Sequence, residues 1–267
     1  MRIALIGTGN MGSACAEAAR CAMPDAELLL VNRTRERAEA LAARLGGAVT
    51  VTDARTAAEE AELLLLGVKP QMLEAVAQEI GDVTARREGL LLVSMAAGVT
   101  LERLGALFGR DLPTVRMMPN LPMTVGEGMT LWCANDCVTD AGKQTFCRVL
   151  ASSGCLSELP EGLIDAGSAV SGCGPAFVCL FLEAMADGGV ACGLTRAQAT
   201  EYASQTLLGT AKLLLERGTH PAALKDAVCS PGGSTIEGVR ALEDGAFRAT
   251  VLRAVSAAFE KTRKLGR

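Results

Sequence analysis

The stretch Ile3-Ala-Leu-Ile-Gly7-Thr-Gly9-Asn-Met-Gly12 constrains the fold of this chain more than any other. Four apolar residues run directly into three glycines spaced G-x-G-x-x-G, and residues 14–20 can continue as a helix. A strand buried on both faces of a parallel sheet reads as an unbroken apolar run. Turning from such a strand into a helix asks for one glycine at the bend, one where backbone approaches a phosphate, and one where helix packs on strand. The unpaired N–H groups of the helix's first turn then face a pyrophosphate, whose charge the helix dipole favours. Gly7, Thr8, Gly9, Asn10, Met11 and Gly12 are therefore candidate dinucleotide-binding residues. The alternative is a purely structural turn.

A second apolar strand, 27–32, ends about twenty residues after the glycines, where a Rossmann unit that binds NAD carries an acid for the ribose 2′-hydroxyl. This chain has Asn32-Arg33-Thr34-Arg35 there, and no acid before Glu36. A guanidinium fork matches a phosphate, and a hydroxyl and an amide can donate to it. Asn32, Arg33 and Thr34 thus predict NADP(H), with NAD(H) still open as a donor. Arg33 and Arg35 as solvated residues opening the next helix is the other reading.

The pattern then alternates. A helix over 35–45 stops at Gly46-Gly47, strands are expected at 48–51, 62–68, 90–93 and 114–118, and Asp53 can cap a short helix reaching Glu60. A helix is expected over 71–80. Strands separated by helices imply a parallel sheet covered on both faces, with ligands at the strands' carboxyl ends. That edge collects three loops: the glycine loop, Val68-Lys69-Pro70, and 94–98. In Ala96-Ala97-Gly98 small side chains leave room for a flat ring, or form only a strand-to-helix turn. Asn120 lies between Pro119 and Pro122 in a rigid loop. It can hydrogen-bond a carboxamide or a substrate, or simply form the turn. Later strands are expected at 129–133 and 155–159, with a helix over 140–153 and Asp140 near its cap.

After Pro160 the strand pattern stops. Helices are expected at 163–170, 175–192, 195–217, 221–228, 234–244 and from 245 to the end. The division is a dinucleotide-binding Rossmann domain over 1–160 and an all-helical domain over 161–267. Small and apolar residues surround most of the circumference of these helices, which demands burial. A domain this small has little interior, so a homodimer through it is expected. Ser230-Pro-Gly-Gly-Ser-Thr235 precedes a helix, and Ser234-x-x-Glu237 fits a capping box. The loop holds a substrate carboxylate on backbone N–H groups and Ser230 or Thr235, or is an ordinary capped start.

Composition trims the alternatives. Net charge is −4 and basic residues are scattered, which argues against nucleic acid as a partner. No apolar run approaches the roughly 20 residues of a membrane span. Glycines interrupt any signal-like core, so a cytoplasmic location is expected. The ten cysteines include no C-x-x-C pair and the only histidine is His220, which leaves no metal site by spacing. Cysteines such as Cys15, Cys147, Cys179 and Cys192 read as reduced small hydrophobes, and His220 as a solvated loop residue.

Together, Gly7-Thr-Gly-Asn-Met-Gly12, Asn32-Arg33-Thr34, Val68-Lys-Pro-Gln71, Ala96-Ala-Gly98, Arg116-Met-Met-Pro-Asn120, Ser171-Gly-Cys-Gly-Pro-Ala-Phe177 and Ser230-Pro-Gly-Gly-Ser-Thr235 resemble the pyrroline-5-carboxylate reductases in order and over nearly the whole chain. The resemblance implies a Rossmann domain and a helical dimerisation domain, often in a ring of dimers. The implied reaction is hydride transfer from NAD(P)H to Δ1-pyrroline-5-carboxylate, a cyclic imine carboxylate, giving L-proline. By the same resemblance Ser230, Gly232, Gly233 and Ser234 line the substrate and its carboxylate. Thr235 hydrogen-bonds the ring nitrogen as the catalytic residue. The loop would face the nicotinamide near Ala96, Ala97 and Asn120, across the dimer interface. Cys173 and Ser234 depart from the usual pattern, which leaves tolerance of another cyclic imine open. A β-hydroxyacid-type dehydrogenase is the nearest rival; it would use a helical-domain lysine such as Lys212 or Lys225. A nucleotide sensor without catalysis is the other.

Overall fold

A computed structural model describes residues 1–265. Within it, contacts gather Met1–Cys173 with the end of the last helix into one unit and Gly174–Ala257 into another.

The first unit is built on one eight-stranded sheet of order β3-β2-β1-β4-β5-β6-β7-β8. Its strands are β1 (Arg2–Ile6), β2 (Glu27–Val31), β3 (Val49–Val51), β4 (Leu63–Leu66), β5 (Leu91–Ser94), β6 (Thr114–Met118), β7 (Gly128–Ala134) and β8 (Gly154–Glu158). The leucine runs of β2 and β4 flank β1 inside the sheet, and Leu28, Leu30, Leu64 and Leu66 are fully buried. Burying each such side chain contributes roughly 1.5–3 kcal/mol. Helices α1 (Asn10–Ala22), α2 (Arg35–Leu45) and α6 (Asp140–Val149) cover one face. Helices α3 (Ala54–Glu60), α4 (Leu73–Thr84) and α5 (Leu101–Phe108) cover the other. The aromatic-poor core works because alanines on α1 and α3 let these helices sit close to the sheet. Strand order reverses between β1 and β4, and in such sheets ligands bind at that switch point.

Three features depart from expectation. Helix α5 is capped by Thr100, whose hydroxyl accepts from Arg103 N; its Leu101, Leu104 and Phe108 spacing was the signal for it. Strand β7 runs antiparallel to β6, and β8 parallel to β7. The short 119–127 connection cannot make a parallel crossover, which needs a dozen residues or more. Helix α6 is capped by Thr139, with Gly142 N donating to the threonine hydroxyl, a cap the sequence reading did not name; Asp140, expected near the cap, is the first helical residue.

Helix α7 (Glu161–Ser171) follows Pro160 and packs with the sheet, so it falls in the first of the two contact units. Ile164 is buried among Met118, Leu131 and Cys133, and Arg116 of β6 is ion-paired to Glu161 at 3.3 Å and Asp165 at 2.6 Å.

The second unit contains α8 (Gly174–Ala191), α9 (Arg196–Arg217), α10 (Pro221–Val228), α11 (Ser234–Asp244) and most of α12 (Phe247–Leu265). The expected run of this last helix to 267 lies outside the described residues beyond 265. Helices α8 and α9 pack as a hairpin on Ala186, Ala199 and Ala203, and Thr195 with Gln198 closes a capping box at the start of α9. Leu180, Leu208, Leu215 and Leu252 stay exposed, so a single chain leaves much of the apolar helix surface bare. An 18-residue window within Glu161–Ala191 has mean hydropathy 1.6, long and apolar enough to cross a membrane by length and composition. This corrects the expectation that no stretch approaches that length; Gly172 and Cys173, between α7 and α8, interrupt it.

Candidate active site

The glycine loop is shaped by backbone packing. Gly7 has φ +98°, and a Cβ there would stand 2.8 Å from the Gly67 carbonyl group. A Cβ on Gly12 would lie 1.9 Å from the Gly7 carbonyl oxygen. Gly67, at the end of β4, is equally confined: its Cβ would fall 2.5 Å from that same oxygen. Gly67 went unnoticed in the sequence, where a glycine ending an all-leucine strand was its signal. Gly9 is different. It is the N-cap of α1 and makes no side-chain cap bond, and a Cβ there would meet nothing within 4 Å. The space beside Gly9, at an uncapped helix start, is a cradle that fits a phosphate. Asn10 and Met11 open the first turn, and the buried Thr8 accepts from the Asn32 amide nitrogen at 2.6 Å.

Asn32 therefore holds the loop. Its oxygen takes the Thr34 N–H at 3.0 Å, so much of the amide is spent inside the protein and does not stand free for a phosphate. Arg33 and Thr34 stand exposed at the head of α2. Arg35 is paired with Glu39 at 2.8 Å, which leaves Arg33 better placed than Arg35 to meet an anion. A cavity of about 640 Å³ opens beside the loop, lined by Thr8, Gly9, Asn10, Ser13, Arg37 and Leu121 among others. Arg37 is the residue here that the motif reading missed.

The other carboxyl-edge loops follow the adjacent strands. Val68 is half-buried and Lys69 exposed at the start of the 3-10 turn Pro70–Met72. Ala96 is buried, its N–H donating to the Ser94 hydroxyl at 3.3 Å, and Gly98 turns the chain with φ +75°. Asn120 lies at the end of β6 with both ends of its amide engaged. It donates to the Ser171 carbonyl at 2.9 Å and accepts from Met129 N at 2.8 Å.

In the second unit, Ser230-Pro231-Gly232-Gly233 forms a tight turn, with Gly233 N donating to the Ser230 carbonyl at 3.0 Å and Gly232 at φ +66°. Proline followed by a left-handed glycine is the pattern of a type II turn. Helix α11 begins one residue earlier than a capping box requires: Gly233 is the N-cap, Ser234 is inside the helix, and no side chain caps it. Glu237 instead pairs with Arg240 at 2.8 Å. The expected capping box is therefore absent. The Gly233 N–H is committed to the turn, while Ser234 and Thr235 open an exposed helix start. His220 is the N-cap of α10, its Nδ1 accepting from Ala222 N at 3.2 Å. Cys15 is buried, and burial pushes its thiol up to about 12. Cys179 and Cys192 are free thiols exposed in the single chain.

Residues 161–265 match the family model described as pyrroline-5-carboxylate reductase dimerisation. Residues 2–98 match the one described as NADP oxidoreductase coenzyme F420-dependent. The crystal structure of the Plasmodium falciparum pyrroline carboxylate reductase with NADP bound superposes over 100% of this chain and 98% of that one, with a TM-score of 0.88 and 30% identity. The chain belongs to the pyrroline-5-carboxylate reductase family. The Coxiella burnetii pyrroline-5-carboxylate reductase superposes with a TM-score of 0.91 over 99% and 98% of the two chains, again at 30% identity. The Escherichia coli pyrroline-5-carboxylate reductase is 46% identical over 177 residues, which is 66% of this chain and 66% of that protein. As a member of this family, the chain carries a Rossmann sheet followed by a helical dimerisation segment.

Proposed function

We propose that the protein reduces Δ1-pyrroline-5-carboxylate to L-proline, the last step of proline biosynthesis, using NADPH in preference to NADH. One observation carries the reading: the chain holds two helix starts with glycine N-caps and no capping side chain, Gly9 before α1 and Gly233 before α11. Such starts attract anions. The first suits the pyrophosphate, flanked by Arg33 and Thr34 for a 2′-phosphate. The second suits a substrate carboxylate.

NADPH, when bound, supplies a hydride for the imine carbon. The chain's own residues bind and orient. Gly7 to Gly12, Asn32 to Thr34, Val68 to Pro70, Ala96 to Gly98 and Asn120 form the nucleotide side; Asn32 and Asn120 act there by fixing loops. Ser230 and Gly232 hold the carboxylate, with the Ser234 N–H taking the part that Gly233 gives up to its turn. The Thr235 hydroxyl hydrogen-bonds the ring nitrogen and keeps its proton in place, since a protonated imine accepts hydride more readily. Orientation of this kind can supply several kcal/mol. No histidine is needed, which suits a chain whose single His220 is a helix cap.

Bare leucines on the helical segment support a homodimer through it, and a ring of dimers is an extension of the same surface. A cytoplasmic location goes with this reading and is checked by cell fractionation. The deciding experiment mixes purified protein, NADPH and the imine and follows loss of nicotinamide absorbance. Turnover, faster with NADPH than NADH and with five- than six-membered rings, is expected. NADPH binding without turnover would identify a sensor. Light scattering should give a mass of two chains or an even multiple.

A further inference from the structure

Glu161, the first residue of α7, sends its carboxylate away from its own helix. Its Oε1 accepts the Leu101 N–H at 2.7 Å. Leu101 is the first residue of α5, three positions beyond the left-handed Gly98. Helix α5 already has a cap in Thr100, which takes Arg103 N at 3.2 Å. A second, ionised acceptor reaching across sixty residues ties the segment that begins α5 to α7, and it lies where the helix dipole favours a negative charge.

The same oxygen is held from behind by Arg116, whose guanidinium is almost wholly buried and also reaches Asp165 at 2.6 Å. Charge-assisted bonds of this kind fix geometry as well as add energy. The far end of α7 is tied too, because the Asn120 amide donates to the Ser171 carbonyl. Helix α7 thus links, through its two ends, the segment after Gly98 and the loop that carries Asn120.

We propose that Glu161 is a positioning residue for hydride transfer: by holding the start of α5 it sets the placement of the Ala96–Gly98 loop. This rests on reading that loop as the platform for the nicotinamide. Glu161 touches neither substrate nor cofactor and acts through the Leu101 N–H. Small displacements of a reacting group can cost a hundredfold in rate.

The test uses the intact protein and three variants. Glu161→Ala removes the acceptor. Glu161→Gln keeps an oxygen acceptor without the charge. Leu101→Pro removes the donor while leaving the Glu161–Arg116 pair, at a first-turn position that tolerates proline; Thr100, at ψ 161°, already has the extended backbone that precedes one. Readouts are the fluorescence of bound NADPH, its Kd, kcat, and the isotope effect with deuterated NADPH. For Glu161→Ala and Leu101→Pro we expect kcat to fall about tenfold to a hundredfold, a larger isotope effect, altered nicotinamide fluorescence, and a Kd within about threefold. Glu161→Gln should recover most of the loss. Unchanged kcat, isotope effect and fluorescence in a folded Leu101→Pro would overturn the proposal, even if Glu161→Ala fails to fold. So would parallel losses of Kd and kcat. Lack of turnover by the unsubstituted protein would instead overturn the reductase reading, and the fluorescence comparison would still decide the role of Glu161.

Discussion

The Asn32 amide nitrogen donates to the Thr8 hydroxyl across 2.6 Å, joining the end of β2 to the middle of the glycine loop. The residue that stands where an acid would read a ribose is thus also the brace of the glycine loop. Asn32→Ala should weaken NADPH binding about tenfold, the worth of one well-formed hydrogen bond. Asn32→Asp should reverse that bond, the carboxylate accepting from the Thr8 hydroxyl, and present a carboxylate to the ribose, lowering the ratio of kcat/KM for NADPH over NADH. Steady-state kinetics with both cofactors checks this; an unchanged ratio would remove Asn32 from cofactor choice.

The glycines should separate by role. Gly12→Ala forces a Cβ to within 1.9 Å of the Gly7 carbonyl oxygen, so it should lose about 1–3 kcal/mol or more in urea unfolding. Gly9→Ala meets no atom in the protein and should unfold within about 1 kcal/mol of the parent. It should nevertheless lose NADPH binding, at least about tenfold, because its methyl occupies the phosphate space. Fluorescence titration beside urea melts distinguishes the two.

Thr235→Ala should lower kcat by about a hundredfold while NADPH affinity stays within about twofold, as expected for a group acting on the reacting nitrogen alone. Thr235→Ser should restore most of the rate. Equal losses in kcat and NADPH affinity would place Thr235 elsewhere.

Asp53 caps α3, and hydrogen bonds from the Thr56 N–H and hydroxyl hold its carboxyl below the usual carboxylate range. A lowered folded-state value means its stabilisation is present above the unfolded value, near pH 4, and is lost as pH falls through the folded one. Asp53→Ala should cost about 1 kcal/mol at neutral pH, and the difference from the parent should shrink in melts taken below about pH 3. Asp53→Asn, which can also cap, should cost less and show no such dependence.

Burial that pushes the Cys15 thiol up to about 12 should keep it unreactive toward a thiol reagent at pH 8, with labelling appearing only on unfolding. Exposed Cys21 and Cys155 should label at once in the native protein. Mass mapping of the labelled peptides reads both.

The sheet was legible because β1, β2, β4 and β5 are largely aliphatic runs, and α1, α2 and α3 start at Gly9, Thr34 and Asp53. The Asp53 cap and the bounds of α2, α10 and α11 follow from such local chemistry. What escaped depends on distant residues. Gly67 owes its role to Gly7 across the sheet, and α7 joins the sheet through Arg116, far away in sequence. At Ser234 two local motifs competed: a Pro-Gly turn set the helix start one residue earlier than the capping box would have it. The Asn120 loop showed its prolines but not that both ends of its amide are engaged.

The reversal of β7 has a consequence of parity. Six parallel strands each deliver the chain to the cofactor edge, and the reversed pair β7 and β8 carries it away again. One more passage is then required, and α7 makes it, bringing Ser171 back to Asn120. An odd count of passages after β6 would have sent the chain out at the opposite rim. The even count returns the chain, at Ser171, to the edge of the sheet where Asn120 and the glycine loop lie.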